Sequence, residues 1–156
     1  MGNHYYYRNF KLTNNSVIHL RIIDTSGDER FKSLNENYYK KMDSIILLYD
    51  ITDKHSFDEC KNYYCPNIKE KCKDNIKVIL IGNKKDLEDR RIISFEEANN
   101  FALLNNYIYM ETSCLRNENV FEAFEKIIEI TADDIKKRET FAIEKSNEIP
   151  KEKGCY

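Results

Sequence analysis

The sequence predicts an α/β domain built on a mostly parallel sheet with helices on both faces. Two unbroken apolar runs, SIILLYD (44–50) and KVILIGN (77–83), lack the alternation of a half-exposed strand. Both faces of each should therefore be covered, as in a parallel sheet. Helical patterns lie between these runs, and strands alternating with helices produce that architecture. The 156 residues are enough for one such domain with a real core.

The first element is a β-hairpin, because residues 5–12 (YYYRNFKL) and 17–23 (VIHLRII) flank the turn-like TNNS. The two apolar runs follow, and YIYME (107–111) is a further short strand. Ser56 with Glu59, and Ser94 with Glu97, fit S-x-x-E capping boxes and should start helices. Pro66 should kink or break the helix of residues 56–72. From Asn119 onward, Val120, Phe124, Ile127, Ile128 and Thr131 recur at helical spacing. After about Lys136 the apolar stripe ends and the chain becomes charged. This divides it into a domain over 1–136 and a flexible charged tail over 137–156, the end of the chain reading as a frayed helix and a flexible tail. There are no internal repeats.

Formal net charge is −2 with both signs interspersed, which argues against a polyanion-binding surface and so against nucleic acid as a partner. No apolar run approaches the roughly 20 residues of a membrane span, and the N-terminal residues carry no signal-peptide core. Five cysteines (60, 65, 72, 114 and 155) form no CxxC and no paired spacing, which favours a reducing compartment over a disulfide framework or metal site. His4, His19 and His55 are scattered and form no catalytic cluster.

In parallel sheets ligands bind at the carboxyl ends of the strands. Three polar segments fall there, Asp24–Asp28, Asn83–Asp86 and Glu111–Cys114, and they should converge in space. NKKD (83–86) is, alone, equally a polar loop. Read as a site, the Asp86 carboxylate accepts two hydrogen bonds from guanine N1–H and N2–H2, a donor pair that adenine lacks. The stem of Lys84 covers the base and Asn83 braces the loop. ETSC (111–114) brings backbone N–H groups, with Ser113 and Cys114, near the guanine O6. DTSG (24–27) directs Asp24 through water to a magnesium ion and the Gly27 N–H to a terminal phosphate. Its plain alternative is an Asx-type turn.

In this order and at these strand ends, the motifs resemble the Ras superfamily of small GTPases, and within it most closely the Rab family. DTSGDERFKSLNENYYK is similar to the Rab form of DTAGQERF…YY, and ILLYDIT (46–52), RRIISFEEA (90–98) and NVFEAFEKI (119–127) also resemble Rab segments. The resemblance spans about residues 8–132. It implies the Ras-like G-protein fold, GTP/GDP and Mg2+ as ligands, GTP hydrolysis, and a switch role in vesicle transport. It also implies Rab effectors and regulators as partners and a cytoplasmic setting at the cytosolic face of endomembranes.

The sequence departs from the family in four places. G-x-x-x-x-G-K-[ST], which cradles the phosphates, needs two glycines five apart. The four glycines here are 2, 27, 82 and 154, so residues 1–156 contain no such loop. Aligned back from DTSG, Met1-Gly2 falls just after the family's switch I threonine. The expectation is an incomplete domain without the first strand, P-loop and first helix. That strand lies, in the family, between 17–23 and 44–50. Either 17–23 moves over to pair with 44–50, or an aggregation-prone edge is left open. Second, Asp28 stands where the family has the glutamine that orients the attacking water. Third, Cys155 is single and penultimate with lysine at the CaaX position 153, so membrane attachment depends on prenylation of an atypical tail. Finally, Tyr6 argues against myristoylation of Gly2. A nucleotide-independent interaction protein is the rival reading. It would use the hairpin 5–23 and YYKK (38–41), with Tyr5, Tyr6 and Tyr7 as contacts. The plainer role of these tyrosines is strand packing.

Overall fold

A computed structural model describes residues 4–12, 15–25 and 38–147, with side chains described as far as Lys137. The elements run β1 (His4–Lys11), β2 (Val17–Asp24), β3 (Ser44–Asp50), α1 (Lys54–Glu59), a π-helical turn (Cys60–Tyr64), α2 (Cys65–Lys71), β4 (Lys77–Asn83), a 3-10 turn (Lys85–Arg90), α3 (Phe95–Leu104), β5 (Ile108–Glu111) and α4 (Val120–Asn147). β3, β4 and β5 form a parallel sheet in that order, and β1 and β2 form a separate antiparallel pair.

The parallel sheet forms because its strands are apolar on both faces, and each face has its own core. Leu47, Tyr49, Val78 and Leu80 pack with Phe57, Ile68, Ala98 and Tyr107 on one side. Ile79 and Ile81 pack with Ala123, Ile127 and Ile128 of α4 on the other. Helices therefore cover both faces, as the apolar runs required. The helix stripe is real: Thr131, at its helical spacing, is buried and donates its hydroxyl to the Ile127 carbonyl at 2.6 Å.

One local expectation needs correction. Ser94 does cap α3, accepting from the Glu97 N–H at 3.0 Å. Ser56 does not cap α1. Asp53, three residues earlier, takes that position through the His55 N–H. Ser56 instead accepts the Asp50 N–H and donates to the Asp53 carbonyl. Aspartate caps as well as serine, so the earlier cap starts the helix one turn sooner. Pro66 sits at the start of α2, directly after the π turn, with helical residues on both sides, so the interruption takes the form of a π turn rather than an open break. α4 continues as helix to Asn147, past the loss of the stripe near Lys136.

The hairpin lies apart from the sheet. β1 and β2 pair in full register from His4↔Asp24 to Lys11↔Val17, but neither pairs with β3. Of the two arrangements open to β3, the edge left without a strand is the one seen among the described residues. The hairpin is held instead through side chains: Phe10, Leu12, Ile18 and Leu20 join the cluster under α4. A cavity of about 730 Å³ separates β2 from β3.

Candidate functional site

The three parallel strands end together. Asp50 is in register with Asn83, and Gly82 with Glu111, so the loops after β4 and β5 leave the sheet side by side. Main-chain bonds join them: the Thr112 N–H donates to the Gly82 carbonyl at 2.9 Å and the Lys85 N–H to the Thr112 carbonyl at 3.0 Å. Thr112 also donates its hydroxyl to Asn83 Oδ1 at 3.1 Å.

Ser113, fully buried, donates its hydroxyl to Asp86 Oδ1 at 2.5 Å and accepts the Arg116 N–H. Asp86 is half-buried, and among the described residues its Oδ2 has no hydrogen bond. One carboxylate oxygen is thus fixed and the other is left to accept. Lys84 turns the loop in the left-handed region, at φ 66 and ψ 36. Such a conformation costs a non-glycine residue on the order of 1 kcal/mol and persists where its surroundings hold it. Its ammonium is pinned to Asp50 Oδ2 at 2.6 Å. Asp50 Oδ1 in turn accepts the Thr52 N–H and hydroxyl at 2.8 and 2.7 Å. Partial burial pushes the Asp50 carboxyl up, but the Lys84 ammonium and the Thr52 donors outweigh it and hold it below its ordinary value. The same hydrogen bond raises Lys84.

Glu111 anchors the second loop from beneath. Arg91 grips its carboxylate with both Nη atoms, at 2.8 and 2.9 Å, and Tyr109 donates to it at 2.6 Å. Asn119 Nδ2 holds the Glu111 carbonyl at 2.9 Å. Hydrogen bonds to Glu111 and Glu88 raise the Arg91 guanidinium further above its already high value. Burial, then Glu111, raises Tyr109, and burial brings Tyr49 up to about 12. Gly82 lies under this network. A Cβ there would meet the Tyr49 and Tyr109 hydroxyls at 2.8 and 2.9 Å, so only glycine lets the two bond each other. Lys85 pairs with Glu118 and closes the outer side of the loops.

Such an assembly presents one rigid acceptor carboxylate and a lysine stem, the chemistry for reading a planar base with adjacent donors, while the Thr112 and Ser113 N–H groups are taken up by the Gly82 and Glu118 carbonyls. A family profile described as the Ras family matches residues 1–133. The chain belongs to the Ras family.

Its relatives make it a Rab-like small GTPase chain. It is 34% identical over 146 residues to the Ras-related protein Rab-1 of Theileria parva, covering 90% of this chain and 66% of that protein. It is 43% identical over 107 residues to the GTP-binding protein ypt2 of Schizosaccharomyces pombe, covering 69% and 53%. With Rab-4A of Danio rerio the identity is 41% over 110 residues, covering 70% and 51%. The chain thus spans about half to two thirds of the length of these relatives.

In this Rab-like chain Asn83, Lys84, Asp86, Ser113 and Cys114 come together as the strand ends required, with Cys114 exposed at the rim. Asp24 does not join them. It is exposed at the end of β2, by the cavity, and no hydrogen bond among the described residues links it to either loop. Gly27, Asp28 and Cys155 lie outside the described residues. The Asp86 acceptor and the Lys84 stem fit a guanine base. For magnesium, no group of three acidic, histidine or cysteine side chains comes together among the described residues. Sequence reasoning overlooked Asp50, Arg91 and Glu111 as supports. Asp50 had a usable signal, as it ends an apolar run just as Asn83 does. No helix in the described residues is long and apolar enough to cross a membrane.

Proposed function

We propose that this chain is the base-reading part of a GTP/GDP switch serving vesicle transport, with Rab-type effectors and regulators as its partners. One observation carries the reading: Asp86 is held by buried Ser113 with its second oxygen unengaged among the described residues. In that role Asp86 accepts from guanine N1–H and N2–H2, the Lys84 stem covers the base, and Asn83 and Thr112 keep the two loops in register. Gly27 and Asp24 are the candidates for sensing phosphate and water-bound Mg2+. Residues 1–156 contain no G-x-x-x-x-G-K-[ST], so they alone should bind a fluorescent GDP analogue weakly. Submicromolar binding to this chain would refute that expectation. In a fusion that supplies the loop, Asp86→Asn should weaken GTP at least tenfold and strengthen xanthosine triphosphate, whose 2-oxo group accepts where guanine donates. Unchanged GTP affinity would remove Asp86 from the site.

Asp28 bears on hydrolysis. An ionised aspartate is shorter than glutamine, cannot donate, and sets negative charge beside an anionic transition state. The fusion should bind GTP and hydrolyse it slowly, and Asp28→Gln should raise the single-turnover rate at least several-fold. Equal rates would show that position 28 is not limiting. Peripheral membrane attachment belongs to this reading only if Cys155 is prenylated. The exposed tyrosines favour a second reading, a nucleotide-independent interaction protein. Tyr5, Tyr6 and Tyr7 are 45, 47 and 68% exposed, and Tyr5 bonds Tyr38, so packing accounts only for the first. An effector whose binding ignores the nucleotide yet is lost in Tyr6→Ala/Tyr7→Ala would establish it.

A further inference from the structure

The two ends of the parallel sheet carry different surfaces. The base-reading loops leave from the carboxyl ends of the strands. At the other end, Lys73 of the α2–β4 connection bonds Asp43, just before β3, at 3.2 Å, and Lys77, which opens β4, bonds Asp134 of α4 at 3.3 Å. These bridges place the turn before β3, the end of α2 and the 133–137 stretch of α4 side by side. Around them stand six further lysines, Lys40, Lys41, Lys69, Lys71, Lys136 and Lys137, against three further carboxylates, Glu70, Asp74 and Asp133. This end is therefore basic among the described residues, in a chain whose formal net charge is −2. α3 finishes at the same end, because β5 begins at Ile108 in register with Ile79, near the start of β4. Its last two residues, Leu103 and Leu104, are 63 and 84% exposed. No residue from Ala98 to Met110 is charged, although 33% of the chain is.

We propose that this end of the domain is a membrane-contact surface, where Leu103 and Leu104 enter the interface of an anionic bilayer and the surrounding lysines rest on its headgroups. The uncharged stretch around the leucines means that no ion has to be dehydrated as they enter. Lysines close to a negatively charged leaflet add an attraction that falls off within a Debye length. The charge pattern selects this occupant. A second copy of the chain would bring like-charged lysines together around the leucines. A nucleic acid would satisfy the lysines but set two apolar side chains against phosphates. The contact is reversible and weaker than a lipid anchor, because two leucines bury far less apolar surface than an acyl chain. It orients the domain, with the Asp86 end turned away from the bilayer. The proposal rests on neither guanine reading by Asp86 nor a lipid on Cys155.

The test sediments the intact, unlipidated chain with vesicles of phosphatidylcholine containing about 30% phosphatidylserine. It should cosediment saturably, and at least fivefold less with phosphatidylcholine alone. Raising salt from about 0.1 to about 0.5 M should weaken binding to a similar degree. Leu103→Ser/Leu104→Ser should lower the partition coefficient at least tenfold, and Lys69→Gln/Lys137→Gln at least fivefold. Lipid carrying a nitroxide on its acyl chain should broaden the Leu103 and Leu104 methyl signals before any others. Absence of cosedimentation would overturn the proposal. So would equal binding to uncharged vesicles, or an unchanged partition of Leu103→Ser/Leu104→Ser, which would mean electrostatic adsorption alone. Broadening that starts at Ile127 and Ile128 would place lipid in the cavity beside β3 and overturn it as well. If the serine variant fails to fold, the nitroxide broadening in the unaltered chain decides alone.

Discussion

The sheet's two sides differ in how their strands are held. At the β4–β5 side, every loop is locked by hydrogen bonds that cross between elements: Thr112 to Gly82, Ser113 to Asp86, Arg91 to Glu111. At the β3 side, the hairpin is joined to the rest by apolar contact under α4, with a cavity where main-chain pairing would otherwise run. The first kind of attachment is directional and holds the Asp86 carboxylate in one orientation. The second tolerates displacement, because dispersion contacts are many and individually small. Rigidity is therefore concentrated at the ends of β4 and β5, and looser attachment at the β3 side.

The largest expected effect tests the locked side. Arg91 and Glu111 have side chains only 15 and 8% exposed. Arg91→Ala leaves the Glu111 carboxylate buried without its cation and should cost about 3–5 kcal/mol in urea unfolding. A loss under about 1 kcal/mol would show that Tyr109 and Asn119 suffice to hold the loop. Next comes a matched pair across the two sides. Ile79→Ala, in fully buried β4, should cost about 2–5 kcal/mol. Ile46→Ala removes a half-buried side chain that already borders the cavity, and should cost only about 1 kcal/mol. Equal costs would mean the β3 side is as tightly packed as the centre.

The smallest effect is electrostatic. Asp50 is held below its ordinary value of 3.8, so its contribution is full above that value and is lost as pH falls through the lower folded value. Lys84 is held above 10.5, so its contribution is full below that value and is lost as pH rises through a higher one. The Lys84 tether should thus be intact from about pH 5 to pH 10. The Thr52 amide chemical shift reports it and should move only at acid pH below this window, in step with Asp50. A shift near neutrality would assign the tether to another group.

Much of this was legible in the sequence because some signals are local. Residues 44–50 and 77–83 read as buried parallel strands because no residue within them breaks the apolar run before the polar end. The meeting of Asp86 with Ser113 followed from strand ends alone. What escaped was set by competition or by distance. Ser56 lost the capping position to Asp53, a contest that a four-residue pattern cannot decide. Arg91 meets Glu111 across the fold, and nothing in either segment names its partner. Whether β2 would move over to β3 was open, because it turned on hairpin side chains packing under α4 in preference to main-chain pairing.

That packing has a consequence in time. Phe10, Leu12, Ile18 and Leu20 depend on Ile127 and Ile128 for their cover. A ribosome adds about 5–20 residues per second, and roughly a hundred residues separate Asp24 from Ile128. For about 5–20 seconds after it is made, the hairpin is complete in its own hydrogen bonds yet bare on its apolar face. Neighbouring chains on the same message, or a chaperone, meet that face first. The hairpin is made about a hundred residues before the helix that covers it, so its fate during synthesis is decided by what waits near the tunnel exit.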